Sequence, residues 1–269
     1  MERVKRYEVG RLVALDETLP FIFYIELDAR SLNEPGILER ITEIFLRYRV
    51  SILQLKMSAP LGKPIRVIVI ADMKGKEGLV EKIVKDLRLI YRALDAWVKP
   101  PIIEGVVIDS YSFPLSLHGR RVVLLRRDVY EGFIIGGWSR FGSGYGQLLY
   151  IVGFDAGRRA YKSHASLCPD KTKMLMLAKD LFQMLGYGIL DYIYVSDKDK
   201  EALIRVYESF ECELFKGKGG VRGNFVRGLI AGWLSANWGL KDFRKITAEE
   251  LKCMAKGDPY CEFHVFYQD

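Results

Sequence analysis

The stretch from Glu250 to Phe263 constrains the fold of this chain more than any other. Gly257-Asp258-Pro259 is a turn signal, and the runs on either side are short and apolar enough to be strands, so the segment predicts a β-hairpin. Such a hairpin folds Cys253 back toward Cys261. Two thiols facing each other across a tight turn can form a disulfide, share a metal, or fill core space. The first residues, Met1-Glu2-Arg3-Val4-Lys5-Arg6, run into charged sequence rather than a secretory leader, which leads us to expect a cytoplasmic protein. In that compartment four cysteines in 269 residues argue against a disulfide framework. A hyperthermophilic host would reopen the disulfide option.

At 269 residues the chain exceeds the usual size of one domain and predicts two. No segment offers the roughly 18 uninterrupted apolar residues of a membrane span. The net charge of +7 permits an anionic partner. However, Arg120-Arg121, Arg126-Arg127, Arg158-Arg159 and the stretch from Lys216 to Arg227 lack the aromatics or helix-turn-helix context of a nucleic-acid module. They read as solvated surface, and nucleic acid is not an expected partner. The three histidines, His118, His164 and His264, are scattered. No Gly-x-Ser-x-Gly, His-Glu-x-x-His or Cys-x-x-Cys motif accompanies them, so no catalytic residue is assigned. His164, in polar sequence near Cys168, reads as part of a surface loop.

After a polar lead, residues 20–27 read as a strand rich in β-branched and aromatic types. Asn33-Glu34-Pro35-Gly36 then opens a helix, with Asn33 as its cap and Ile37, Ile41, Ile44 and Phe45 on its buried face. Strands follow over Val50 to Met57 and Ile65 to Ala71, joined by the punctuation Pro60-Leu61-Gly62-Lys63-Pro64. A second helix aligns Leu79, Val80, Ile83, Val84, Leu87 and Ile90, and a strand over Ile102 to Ile108 closes the unit. The order βαββαβ predicts a ferredoxin-like antiparallel sheet with two helices on one face. A strand, a Pro35-Gly36 turn and an amphipathic helix together resemble an ACT domain, a regulatory module that binds amino acids between paired copies. The resemblance implies a homodimer and marks Asn33, Pro35 and Gly36 as ligand contacts. Asn33 stands where that family usually carries aspartate, which removes the charge for an ammonium group. The bland reading leaves Asn33 and Gly36 as cap and turn.

We place the domain boundary near residue 112, among Ser110-Tyr111-Ser112-Phe113-Pro114. A helix is expected through Val122 to Val129, followed by a segment interrupted by Gly136, Gly137, Gly142, Gly144 and Gly146. Those glycines fit close packing or turns, not a phosphate loop or dinucleotide fingerprint. One helix then runs through Tyr145, Leu148, Leu149, Val152 and Ala156, and another through Met174, Leu175, Ala178, Leu181, Phe182 and Leu185. Ile189 to Ser196 and Leu203 to Glu208 form a strand pair. Cys212 follows, then a helix from Phe225 to Trp238 and the terminal hairpin.

The pattern Glu250, Cys253, Gly257-Asp258, Cys261 resembles the end of a 4-vinyl reductase (4VR) domain, a hydrocarbon-binding module also found in the aromatic-sensing portions of bacterial regulators. Gly228-Leu229-Ile230-Ala231-Gly232-Trp233 and Ile135-Gly136-Gly137-Trp138 extend the resemblance over residues 113–269. It implies a structural zinc held by Cys253, Cys261, an upstream cysteine and a carboxylate. Cys212 is the upstream candidate, and Asp191, Glu208, Glu211 and His264 are the candidates for the fourth ligand. Strand parity disfavours His264. A disulfide and inert buried thiols remain the alternatives. The resemblance also implies a greasy pocket, with Trp138, Tyr145, Phe182, Trp233 and Trp238 as ligand contacts. At helical spacing these aromatics serve equally well as core.

The expected fold class is therefore α+β, an ACT-like domain over residues 1–112 and a mixed α/β 4VR domain over 113–269. The expected function is a non-catalytic, ligand-sensing regulatory protein. It would bind a small hydrophobic or aromatic molecule, with an amino acid at the ACT interface and a partner protein for output. The rivals are a reductase-like enzyme or accessory in tetrapyrrole metabolism and a DNA-binding regulator.

Overall fold

The computed structural model describes residues 4–58, 63–218, 223–240 and 242–268. Pro60 to Gly62 of the expected strand connection, residues 219–222 of the loop after Cys212, and the start Met1 to Arg3 lie outside the described residues. The chain divides into two compact units, Met1–Leu124 and Leu125–Asp269, so the division falls after Leu124 and not near residue 112.

In the first unit β1 (Leu12–Ala14) precedes β2 (Pro20–Leu27), α1 (Ile37–Arg47), β3 (Ser51–Ser58), β4 (Ile65–Asp72), α2 (Val80–Arg88), β5 (Ala93–Lys99) and β6 (Val106–Ile108). A short hairpin, β7 (Ser116–Leu117) and β8 (Arg120–Arg121), ends it. The main sheet is antiparallel in the order β3-β4-β2-β5, the ferredoxin-like arrangement. Phe23, Ile25 and Leu27 alternate along β2 and pack with Ile37, Ile41 and Phe45 of α1 and Ile83 and Leu87 of α2. The fourth strand of this sheet is β5, not the expected Ile102 to Ile108. β5 is an edge strand that buries Ala96 and leaves Leu94 and Asp95 exposed, so it carries little apolar signal. The more apolar β6 pairs with β1 instead, and Val13 and Val107 cover Ile22, Tyr24 and Ile70 on the sheet's other side. Asp109 fastens this ribbon, accepting from Tyr24 Oη at 2.9 Å and from Arg11 at 3.0 Å.

Asn33 does not cap α1. It ends a 3-10 turn over Ala29–Asn33, and Gly36, at φ 85°, is the residue before the helix. That left-handed conformation carries no steric penalty for glycine and reverses the chain before Ile37.

The second unit opens with α3 (Arg127–Leu167), which bends sharply at Gly142, and continues with α4 (Lys171–Met184), β9 (Ile189–Ser196), β10 (Glu201–Tyr207), α5 (Phe210–Glu213), α6 (Asn224–Asn237), β11 (Ile246–Lys252) and β12 (Cys261–Tyr267). Residues 122–126 are not helical, and α3 begins at Arg127, later than the expected Val122. The sheet order β11-β12-β10-β9 is antiparallel throughout. Its inner face presents Leu190, Ala202, Ile204, Val206, Phe263 and Val265 to α6 and α4.

α3 and α6 cross at backbone contact, with Gly153 and Gly157 set against Gly228 and Gly232. A Cβ on Gly157 would lie 2.1 Å from Leu229 O, and one on Gly232 would lie 1.9 Å from Phe154 O. The obstacle is main chain, which cannot swing aside, so Gly232→Ala is expected to destabilise the fold by about 3 kcal/mol. Gly144 is the control, since its Cβ would meet nothing within 4 Å. Gly144→Ala is expected to leave stability unchanged or raise it by about 0.5 kcal/mol. Urea midpoints of the two variants check both expectations.

Candidate functional site

The Glu250 to Phe263 hairpin forms, and its turn is built to bring side chains inward. Asp258 Oδ2 accepts the Cys253 N–H at 2.8 Å, and the Asp258 N–H reaches back to Cys253 O at 3.3 Å. Gly257 closes the turn at φ 105°. Cys261 Sγ then accepts the Met254 N–H at 3.5 Å. Cys212 enters from α5, where Ser209 caps the first turn and accepts the Cys212 N–H at 3.5 Å. Cys212 Sγ lies 3.8 Å from Cys253 Sγ and 3.8 Å from Glu250 Oε1. The donor atoms of Cys212, Glu250, Cys253 and Cys261 all lie within 4.8 Å of one another, and the three cysteines are fully buried.

This cluster can hold a metal ion. A tetrahedron of ligands about 2.3 Å from its centre has edges of about 3.8 Å, the spacing of Cys212 Sγ from both Cys253 Sγ and Glu250 Oε1. Contact with Cys253 and Cys261, together with burial, pushes the Cys212 thiol well above its ordinary value. Burial and the contact with Cys253 push Glu250 up to about 8. A buried cation reverses such shifts and holds the donors as anions.

The carboxylate in the cluster is Glu250, which none of the four expected candidates supplies. Asp191 pairs with Lys179 at 3.4 Å, and Glu208 is exposed at φ 51°. His264 turns to the outer sheet face, where its Nε2 lies 2.6 Å from Glu201 Oε1. Glu211 caps α6, its two oxygens accepting the Phe225 and Val226 N–H groups at 2.9 Å each. Glu250 stood in the sequence pattern itself, three residues before Cys253, and on a strand whose buried positions Ile246 and Ala248 share its parity.

A cavity of about 160 Å³ opens between α3, α4, α6 and the sheet. Ala156, Ala160 and His164 recur every fourth residue on α3 and face it together. α4 contributes Ala178 and Phe182, β9 contributes Leu190 and Tyr192, and α6 contributes Leu229, Ile230 and Trp233. The small alanines leave the space, and the rings bound it.

Trp233 Nε1–H donates to His164 Nδ1 at 3.1 Å. A neutral imidazole that accepts at Nδ1 carries its proton on Nε2, so the wall offers one N–H donor. Burial lowers the His164 pKa from 6.5 and raises that of Tyr192, which keeps both uncharged near neutrality. Among the described residues the lining contains no Lys, Arg, Asp or Glu.

His164 is therefore not in a surface loop. It occupies the last turn of α3, and its spacing from Ala156 and Ala160 was the available signal. Of the five aromatics singled out in the sequence, Phe182 and Trp233 line this cavity. Trp138 borders a separate open depression with Ile135 and Phe215. Tyr145 lies over Gly137 and donates to Phe133 O at 2.7 Å, and Trp238 packs at the end of α6 against the core. Asn33, Pro35 and Gly36 form an exposed turn of the first unit, next to Glu34, which pairs with Arg92 at 2.5 Å.

No protein-family model matches the chain. The second unit is a mixed α/β fold with an apolar cavity and a Cys/Glu cluster. The structure is similar to the phenol-responsive sensory domain of the transcription activator PoxR, crystallised with phenol. The TM-score is 0.50 at 20% identity, over 56% of this chain and 79% of that one. A vinyl-4-reductase family protein from Methanocaldococcus jannaschii aligns at TM-score 0.37 and 19% identity, over 55% of this chain and 85% of that one. By sequence, the chain belongs to the family of the uncharacterized protein MJ0150 of Methanocaldococcus jannaschii. The two are 30% identical over 128 residues, 48% of this chain and 68% of that one. No helix of the described residues is long and apolar enough to cross a membrane.

Proposed function

We propose that the chain is a ligand-responsive protein whose second unit binds an uncharged, single-ring aromatic molecule carrying a hydrogen-bonding substituent. The observation that carries this is the apolar cavity of about 160 Å³ with His164 in its wall. An apolar hole of about 150 Å³ is enough for one benzene ring. The His164 Nε2–H and the hydroxyls of Tyr187 and Tyr192 are the polar groups of the lining residues available to a phenolic oxygen, and the fold shared with a domain crystallised with phenol supports that class. A carboxylate would enter without a cation to pair with, at a desolvation penalty of several kcal/mol.

Calorimetric titration tests this. Phenol is expected to bind once per chain, and benzoate at least about tenfold more weakly; equal affinities, or no saturable phenol binding, overturn it. Acid supplies a second check. The folded His164 pKa lies below its unfolded value, so the unfolded chain takes up the proton first as pH falls through 6.5. Stability and phenol affinity are expected to hold above that pH and to decline below it, as protonation removes the acceptor for Trp233. In His164→Phe the acid-dependent part of the decline is expected to vanish.

In this reading the cluster of Cys212, Glu250, Cys253 and Cys261 holds zinc, for which three thiolates and a carboxylate in a tetrahedron are suitable donors. Four protein ligands leave no open position for activated water, so the ion is structural. We assign the first unit the role of an ACT-like pairing module. Its ferredoxin-like sheet and the exposed Asn33, Pro35 and Gly36 turn support an amino-acid site at a homodimer interface, with output through a partner protein.

A further inference from the structure

Two carboxylates, the buried Glu211 and the partly buried Glu250, hold the start of α6, and Glu250 belongs to the Cys/Glu cluster. Glu250 directs Oε1 toward Cys212 Sγ at 3.8 Å, while its Oε2 accepts the Gly223 N–H at 3.1 Å. Glu211, next to Cys212 on α5, takes the following N–H groups, those of Phe225 and Val226. The main chain at Gly223 comes so close that a Cβ there would lie 2.9 Å from Glu250 Oε1 and 3.0 Å from Phe263 Cζ. Further along the same helix, Leu229, Ile230 and Trp233 form one wall of the cavity. At 1.5 Å per residue, about 15 Å of helix separates Gly223 from Trp233. A helix is stiff over that length, so its fastened end and its cavity face move together.

We propose that metal occupancy of the cluster sets the position of α6 and thereby the affinity of the cavity, with Glu250 as the part shared by both. The proposal rests on the cavity reading above. With a dication in place, one carboxylate oxygen faces the ion and the other stays on Gly223. Without it, nothing holds the Glu250 carboxylate against the three sulfurs, and the hold on the first turn loosens. Coupling of this kind is reciprocal: whatever factor the metal adds to ligand affinity, the ligand adds to metal affinity.

The test uses the full chain, loaded with zinc or stripped by a chelator, with phenol as the probe. Hydrogen exchange at the Phe225 and Val226 amides is expected to slow on zinc loading, and phenol is expected to bind about fivefold or more tightly to the loaded form. On the loaded protein, saturating phenol is expected to lower zinc loss to a competing chelator by the same factor, a measurement that stands even if the stripped protein unfolds. Glu211→Gln keeps all four donors, so zinc is expected to stay at one per chain while the α6 amides exchange faster and phenol binds more weakly. Amides indifferent to zinc in a folded stripped protein, or zinc affinity indifferent to phenol that does bind, overturn the coupling. Absence of phenol binding in both forms would sink the cavity reading instead, and the exchange measurement would still decide whether the cluster positions α6.

Discussion

Cys253→Ser is expected to abolish zinc binding and the cooperative unfolding of the second unit while the first unit stays folded. Cys253 is fully buried, and its sulfur stands 3.8 Å from Cys212 Sγ in a cluster joining α5, β11 and β12. Structural zinc sites contribute an apparent 10 to 16 kcal/mol or so at neutral pH in small domains. A domain's whole stability is about 5–15 kcal/mol, so losing one ligand of four is enough to remove the folded state. The first unit has its own core around Phe23, Ile41 and Ile83, which shares no residue with the core of the second. Native mass spectrometry is expected to read one zinc per chain in the wild type and none in the variant. Urea denaturation followed by tryptophan fluorescence is expected to lose the transition reported by Trp233. Wild-type protein with no zinc and an unchanged urea midpoint after chelation would rule this out and leave the cysteines as packing thiols.

The second large effect concerns the cavity. Ala178→Phe places a ring in the space left by the small side chains of α3 and α4, and phenol binding is expected to fall by about a hundredfold or more. Stability is expected to hold or to rise by about 1 kcal/mol, because filling a void removes an unpacked surface and exposes nothing. That pairing separates a binding cavity from a packing defect. A void that the fold merely tolerates would gain stability with no ligand to lose. Calorimetry with phenol and a thermal melt of the same sample read both halves, and undiminished phenol affinity in Ala178→Phe would place the ligand elsewhere.

How much of this was legible in the residues varies from element to element. The terminal hairpin was, because Gly257, Asp258 and the flanking runs form a turn from neighbours alone; the Asp258 side chain reaches a backbone N–H only five residues away. α4, α6 and the β9–β10 pair were legible for the same reason, as periodic spacing reports which face of a local element is apolar. β5 was not, since an edge strand that buries Ala96 shows no alternation strong enough to compete with the more apolar β6.

The sequence by itself determined which sulfurs could meet, since a tight turn leaves Cys253 and Cys261 little choice. Only the tertiary structure decided that Glu250 completes the set with Cys212, 38 residues away, and that His164 faces Trp233, 69 residues away. The second meeting depends on α3 and α6 crossing at bare backbone, where Gly153, Gly157, Gly228 and Gly232 let the helices come closer than any side chain allows. The four-residue spacing of Gly153 and Gly157, and of Gly228 and Gly232, marks a close-packing face on each helix, but which face meets which belongs to the two segments jointly. The cavity wall is a consequence of that distance, and the fourth donor is a consequence of where α5 meets the strand β11.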